Sequence, residues 1–416
     1  MRAARPRIHC GAVNGGSRIR LAGALVLDAR GSSFRRVDVV VEGDRIAELT
    51  APTSPSAHEA GIDVSGLFLV PGLIDCHVHL VMRGEDADPA ANAARSDEEI
   101  RAYAADAAER TLVSGITTVR DVGGWNHVEM AVRDDIENGK RMGPRLVLAG
   151  RLLSVPTEAV EYYPGMYEVV AGAEAVAAGA RRQLDRGANM IKVMATGAML
   201  SPEGEDAGAT QLSEEEMRAA VGAAEATGGH VAAHAHAREG VRNAVEAGVR
   251  SIEHGTFADP ATLDLMAERE VFLVPTFSAW TSLREDRQLV EAMPAHLRAR
   301  LEGAHDVHAR MVRDAVRLGV PVAMGTDAGT PGNHHGGNAK ECVAMVEEGG
   351  MTPGESLRAA TLDAARLLRR DRVVGSIEEG KLADLVGIRA DPLEDISALT
   401  DVAFVMRGGS VATPAP

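Results

Sequence analysis

The chain has 416 residues, room for two or three domains of about 150 residues each unless one large barrel takes most of it. Its apolar share of 45% is enough for a sizeable core and excludes a disordered chain. Lys and Arg total 44 against 60 Asp and Glu, a net charge of −16, and only 3% of residues are aromatic; both argue against a nucleic-acid-binding surface.

The first 17 residues carry Arg, Gly and Pro and predict an unstructured arm. Leu21–Leu27 is too short for a signal peptide, with Arg18 and Arg20 before it and Asp28 after it, and reads as part of a strand over Ile19–Leu27. Strands over Arg36–Glu42 and Arg45–Leu49 follow, joined at a hairpin turn over Glu42-Gly43-Asp44. Beyond Gly66 the pattern changes to short apolar runs alternating with amphipathic Ala-rich helices, the signature of a parallel α/β sheet. The runs are Phe68–Ile74, Gly115–Val119, Arg145–Ala149, Met190–Met194, His230–Ala233, Arg250–Glu253, Val271–Thr276 and Pro321–Met324. Helices are predicted over Asp97–Val113, Ala173–Arg186 and Ser213–Thr227, the last opening on a capping box of Ser213 and Glu216. Eight such units match the size of a (β/α)8 TIM barrel. The tail returns to strands within Val374–Ile388 and over Val402–Arg407. The expected organisation is therefore a barrel over 67–368 and one small β-sandwich built from both ends, 18–66 and 369–412.

Cys10, Cys76 and Cys342 are odd in number and far apart, so no disulfide framework or C-x-x-C pair is expected, and a reducing cytoplasm is the simplest setting. No apolar run approaches the ~18 residues of a membrane helix.

The strongest chemical signal is Asp75-Cys76-His77-Val78-His79, directly after the first run. Side chains two apart on a strand project to one side, so His77 and His79 can reach one ion together. Alone, such a pair is equally well two ordinary histidines. Other chemistry-bearing residues end other runs: His234 and His236 the fifth, His254 the sixth and Asp327 the eighth. Lys192 lies within the fourth. Active sites of such barrels assemble at the C-terminal face, and imidazole and carboxylate suit zinc and similar divalent ions. A buried Lys192 ammonium beside metal ions is disfavoured. Deprotonated, its amine can react with CO2 to give a carbamate able to bridge two metals; otherwise Lys192 pairs with an acidic substrate group or reaches solvent. Glu253, next to His254, is expected to face away and serve structure. Arg120 and Arg151 lie near strand ends, though no arginine clamp for a carboxylate stands out.

The stretches Val70-Pro-Gly-Leu-Ile-Asp-Cys-His-Val-His79, Gly115-Ile-Thr-Thr-Val-Arg-Asp121, Ile191-Lys-Val-Met-Ala-Thr-Gly197, Gly248-Val-Arg-Ser-Ile-Glu-His-Gly255, Gly325-Thr-Asp-Ala-Gly-Thr330 and Gly380-Lys-Leu-Ala-Asp384 resemble the amidohydrolase superfamily. The likeness is to its branch of imidazolonepropionase-like proteins, Xaa-Pro dipeptidases and zinc carboxypeptidases. It implies a binuclear site holding two divalent ions, expected to be zinc. His77, His79 and Asp327 would hold the more buried ion, and His234 and His254 the outer one. A carboxylated Lys192 and a hydroxide would bridge them. Asp327 would act as general base and then acid in hydrolysing an amide-type C–N bond of a dipeptide, N-acyl amino acid or related amide. His236, His335 and Tyr163 are expected to touch this small-molecule substrate. His334 is expected to face solvent. Relatives of this kind are often homo-oligomers.

The chain departs from such relatives after the third strand. Many carry a histidine there; here Tyr162, Tyr163 and Tyr167 cluster instead. A phenol can replace the missing donor, or the ring can serve packing, and the departure points toward a substrate such as an acylated or natural-product amide. The alternative reading is a mononuclear deaminase or cyclic-amidine hydrolase, for which His236-Ala-Arg-Glu239 has the His-x-x-Glu spacing.

Overall fold

The computed structural model describes residues 18–52 and 60–412; the expected arm over 1–17, with Cys10, lies outside the described residues. Between residues 73 and 274 the strands pair in parallel and alternate with helices. One sheet holds Leu73–Val78, Ile116–Asp121 and Arg145–Leu148. A second holds, in spatial order, Tyr167–Val169, Leu152–Ser154, Ile191–Met194, Val231–Ala237, Ser251–Phe257 and Phe272–Val274. The side chains of Leu73–Val78, Ile116–Asp121 and Ile191–Met194 are buried on both faces, as covered parallel sheets require.

The eighth predicted run is no regular strand; its ladder reduces to an isolated parallel bridge between Leu273 and Val322. It still ties the two sheets. Leu273 N donates to Pro321 O (2.8 Å), Ala323 N to Leu273 O (3.0 Å) and Cys76 N to Met324 O (2.8 Å). At the other margins, Asn189 N donates to Leu148 O (2.8 Å). The predicted helices form over Asp97–Val113, Ala173–Asp185 and Glu214–Glu225, and Ser213 with Glu216 makes the expected capping box.

Both termini supply the remaining strands. Arg45–Thr50, Asp38–Glu42, Arg18–Ala22 and Ala60–Asp63 form a four-stranded sheet. Ser410–Val411, Val402–Arg407, Leu385–Ile388, Phe68–Pro71, Leu25–Leu27 and Phe34–Arg36 form a six-stranded one. Ile19, Leu21, Val39 and Ile46 of the first share an apolar cluster with Val26, Leu69, Leu385 and Phe404 of the second.

Three predicted runs break where local geometry demands it. Ile19–Leu27 divides at Gly23, whose φ of 84° sends its halves into different sheets. Phe68–Ile74 divides at Gly72, where a Cβ would stand 2.1 Å from Thr117 Oγ1, so only glycine lets the chain cross there. Within Val374–Ile388 only Leu385–Ile388 is strand, and turns precede it. Cys76 and Cys342 are buried free thiols. Among the described residues, no helix is long and apolar enough to cross a membrane.

Candidate metal centre and its cavity

The C-terminal ends of the parallel strands bring two groups of donors together. His77 and His79 leave the Leu73–Val78 strand and meet Asp327, whose Oδ1 lies 3.4 Å from Nε2 of each. His234, His236 and His254 form the second group. Within each group the donor atoms lie within 4.8 Å of one another. The groups adjoin, since the rings of His77 and His254 are 5.0 Å apart. His236, expected only as a substrate contact, stacks on His254 at 4.9 Å and so stands among the candidate ligands.

Backbone shape aims these side chains. His254 (φ 70°) and Asp327 (φ 59°) both hold left-handed conformations that non-glycine residues rarely adopt. Thr276, which hydrogen-bonds His254, does so too at φ 56°. Such strain concentrates at sites where surrounding structure over-determines the geometry.

Each imidazole is oriented by a partner on its far nitrogen, as metal-ligating histidines usually are. His77 Nδ1 meets Glu253 Oε2 at 2.7 Å, and His79 Nδ1 donates to Gly123 O at 3.0 Å. His236 Nδ1 meets Thr256 Oγ1 at 2.9 Å and His254 Nδ1 meets Thr276 Oγ1 at 2.7 Å. His234 is turned the other way, with Nε2 on Gly197 O at 3.2 Å, which leaves Nδ1 for an ion.

Burial favours the neutral form of His79, His234, His236 and His254. It lowers His79 and His236 to about 4, and puts His234 and His254 well below the usual histidine range with help from neighbouring rings and Lys192. Burial pushes Asp327 up, but His77 and His79 outweigh it and keep the carboxyl below its ordinary value. Burial likewise lowers Lys192 to about 8, against the opposing pull of Glu253. Lys192 Nζ and Asp327 Oδ1 are both buried without a hydrogen-bond partner. Neutral imidazoles, an ionised carboxylate and an unpartnered amine facing one cavity are a donor set that fits divalent cations.

Glu253 does not face away as expected. The left-handed turn at His254 breaks the two-residue alternation, so neighbouring side chains both reach inward, Glu253 to His77 and His254 to the cavity. Arg120 is spent here as well. Wholly buried, it donates to Glu253 Oε1 (2.8 Å) and Oε2 (3.0 Å) and to Ser251 Oγ (3.0 Å), and is not free to clamp a substrate carboxylate.

The donors open into a cavity that spans about 840 Å³ when the open solvent at its mouth is counted. Tyr163 and Tyr167 line it, but the Tyr163 hydroxyl donates to Leu200 O at 2.8 Å. Tyr162 instead donates to Asp88 at 2.7 Å. His335 is corrected from a lining to a supporting position: it is buried behind the metal-side strand with Nε2 on His79 O at 3.2 Å, and is not among the lining residues. His334 is more than half exposed, as expected for a solvent-facing ring. Glu239 is exposed on the helix Arg238–Ala247, so the His236 and Glu239 spacing builds no acid–base pair in the cavity. Sequence reasoning missed the outer wall, where Ala279, Trp280, Leu283 and Leu301 come from the helical insertion after the seventh strand. Trp280, one of two tryptophans in the chain, was the available signal.

The family model for the amidohydrolase family matches residues 68–413. The chain belongs to that family. Ochratoxinase of Aspergillus niger is 31% identical over 372 residues, covering 82% of this chain and 75% of that protein. A Xaa-Pro dipeptidase solved with methionine in its active site is 34% identical, with a TM-score of 0.86 over 95% of this chain and 99% of that one. A prolidase solved with N-methylphosphonate-L-proline is 31% identical, with a TM-score of 0.86 over 96% and 100%. With this family and these neighbours, the chain is a hydrolase acting on carbon–nitrogen bonds, on an α/β fold of the TIM-barrel kind.

Proposed function

We propose that the protein is a binuclear metal-dependent hydrolase that cleaves the amide-type C–N bond of a dipeptide, an N-acyl amino acid or a related amide. The observation that carries this reading is the convergence of His77, His79, Asp327, His234 and His254 on one cavity with a buried, unpartnered Lys192 amine. On this reading the parallel strands close into a single barrel over 67–368, and the terminal sheets, 18–66 and 369–412, pair as one small sandwich.

His77, His79 and Asp327 would hold one divalent ion, expected to be zinc, and His234 and His254 the other. Lys192, as the neutral amine, would form an N–C bond to CO2 and release a proton, and the resulting carbamate would add an anionic donor for these ions. When bound, two such cations lower the pKa of water and polarise the scissile carbonyl. Asp327 accepts the proton of the attacking water and returns it to the leaving nitrogen. Glu253 fixes the His77 tautomer, and Thr276 that of His254. His236, anchored by Thr256, faces the substrate with its free Nε2. Tyr163 shapes the wall beside it.

The test joins metal counting to a substrate panel. Close to two ions per chain and free amine released from dipeptides, N-acyl amino acids or neutral amides are expected. A protein carrying a single ion, or a doubly loaded one that releases nothing from any of them, would contradict the reading.

A further inference from the structure

Beyond its donors, the cavity is almost wholly apolar. Met82, Leu152, Met166, Met194, Met199 and Leu200 line its inner wall. Trp280, Leu283, Leu301 and Pro331 line the outer part. Apart from Lys192 and Asp327, no lysine, arginine, aspartate or glutamate among the described residues lines it. Away from the metal donors, a substrate carboxylate or ammonium would lose its water and meet no opposite charge in this lining, which is costly.

Among the described residues, none of the arginines next to the lining residues in sequence lines the cavity itself. Arg300 adjoins Leu301, but its guanidinium donates to the carbonyls of Ser201 (2.7 Å), Pro202 (2.8 Å), Glu203 (3.3 Å) and Glu205. These bonds fasten the loop after the fourth strand to the insertion that carries Trp280, so releasing Arg300 would dismantle the wall. Arg120 is locked to Glu253, Arg151 donates to Asn126, and Arg83 lies over the Tyr103 ring at 4.6 Å. The hydroxyl of Tyr163 is already bound to Leu200 O. Of the polar groups left, Tyr167 can offer a hydrogen bond but no charge, and His236 Nδ1 is already held by Thr256 Oγ1 at 2.9 Å.

We infer that the substrate is an uncharged amide: neither its acyl nor its amine portion carries a carboxylate or ammonium, and at least one of them is an aromatic or bulky aliphatic group seated against Trp280, Leu283 and Leu301. This rests on the hydrolase reading above and narrows it, setting free dipeptides and N-acyl amino acids below their neutral counterparts. Trp280 and Tyr167 supply flat faces for a ring, and Met199 and Met166 adapt to its outline.

The test uses the two-metal protein and matched probes that differ by one charge. N-benzoylphenethylamine is compared with N-benzoylphenylalanine, and N-acetylphenethylamine with N-glycylphenethylamine. Both kcat/KM and binding, read by tryptophan fluorescence, are measured. The neutral member is expected to lead by about tenfold or more in each pair. Leu301→Arg, which puts a cation on the outer wall, should shift the first pair's ratio toward the free acid. Charged members bound or cleaved as well as the neutral ones would overturn the inference, as would a neutral member that shows neither binding nor turnover at millimolar concentration. Preferential binding of neutral members with no cleavage of any would instead overturn the hydrolase reading and leave this inference standing.

Discussion

At the strand ends, His254, Thr276 and Asp327 hold left-handed backbones without being glycine; in the terminal sheets such backbones belong to glycines such as Gly23, Gly43 and Gly66. The polar groups differ in the same sense. The strand ends bury Lys192 Nζ and Asp327 Oδ1 without hydrogen-bond partners, whereas in the terminal sheets Arg18 pairs with Glu48, and Asp28 accepts hydrogen bonds from Arg30, Ser32 and Ser33. One region keeps strained, desolvated groups ready for ligands. The other places each group where local chemistry prefers it and adds an apolar cluster. Stability and activity should therefore come apart between the two.

The sharpest separation is expected from Asp327→Asn, which keeps the shape but removes a ligand charge and the proton acceptor. Turnover should fall about 10³-fold while the urea midpoint stays close to that of the parent. A comparable loss of folding stability would show that Asp327 is structural instead. Arg120→Met tests the layer beneath. It strands Glu253 in the interior and should cost about 3–5 kcal/mol in urea unfolding, with much of that recovered in the double variant Arg120→Met/Glu253→Gln. A change below 1 kcal/mol would mean water reaches Glu253.

The sheet side should behave in the opposite way. Phe404→Ala opens a void in the terminal cluster, where Phe404 is buried, and should cost about 3 kcal/mol or more with kcat/KM within twofold of the parent, measured well below the unfolding transition. Asp28→Asn is the mildest case. Partial burial pushes Asp28 up, but the hydrogen bonds from Ser32, Ser33 and Arg30 prevail and bring it to about 2. A carboxyl lowered on folding stabilises above its unfolded value, near 3.8, and stops doing so as pH falls through about 2. The variant should be less stable by about 1 kcal/mol at neutral pH, and the gap should close toward pH 2. A gap unchanged over that range would assign the effect to packing.

Much of this was readable in the residues. The H-x-H pair, the histidines closing the fifth and sixth runs and Asp327 closing the eighth were legible because strand ends are periodic and the ligand types are few. The capping box at Ser213 was legible because it is local. Glu253 was misplaced because alternation assumes an ordinary β backbone, and His254 does not have one. The breaks at Gly23 and Gly72 depend on which sheet each half joins, a long-range matter that an apolar run does not encode. The outer wall stayed hidden for the same reason. Helices over Phe277–Glu285 and Ala295–Leu301 pattern like any others, and only their folding back over the strand ends makes Trp280 and Leu301 part of the cavity.

The most direct test of the two-ion centre is diffraction from crystals of the metal-loaded protein, recorded at the absorption edge of the bound metal. Two anomalous peaks are predicted, one among His77, His79 and Asp327 and one beside His234 and His254, with the Lys192 side chain extended by a carboxyl group. A single peak, or a bare Lys192 amine beside an otherwise loaded site, would contradict it.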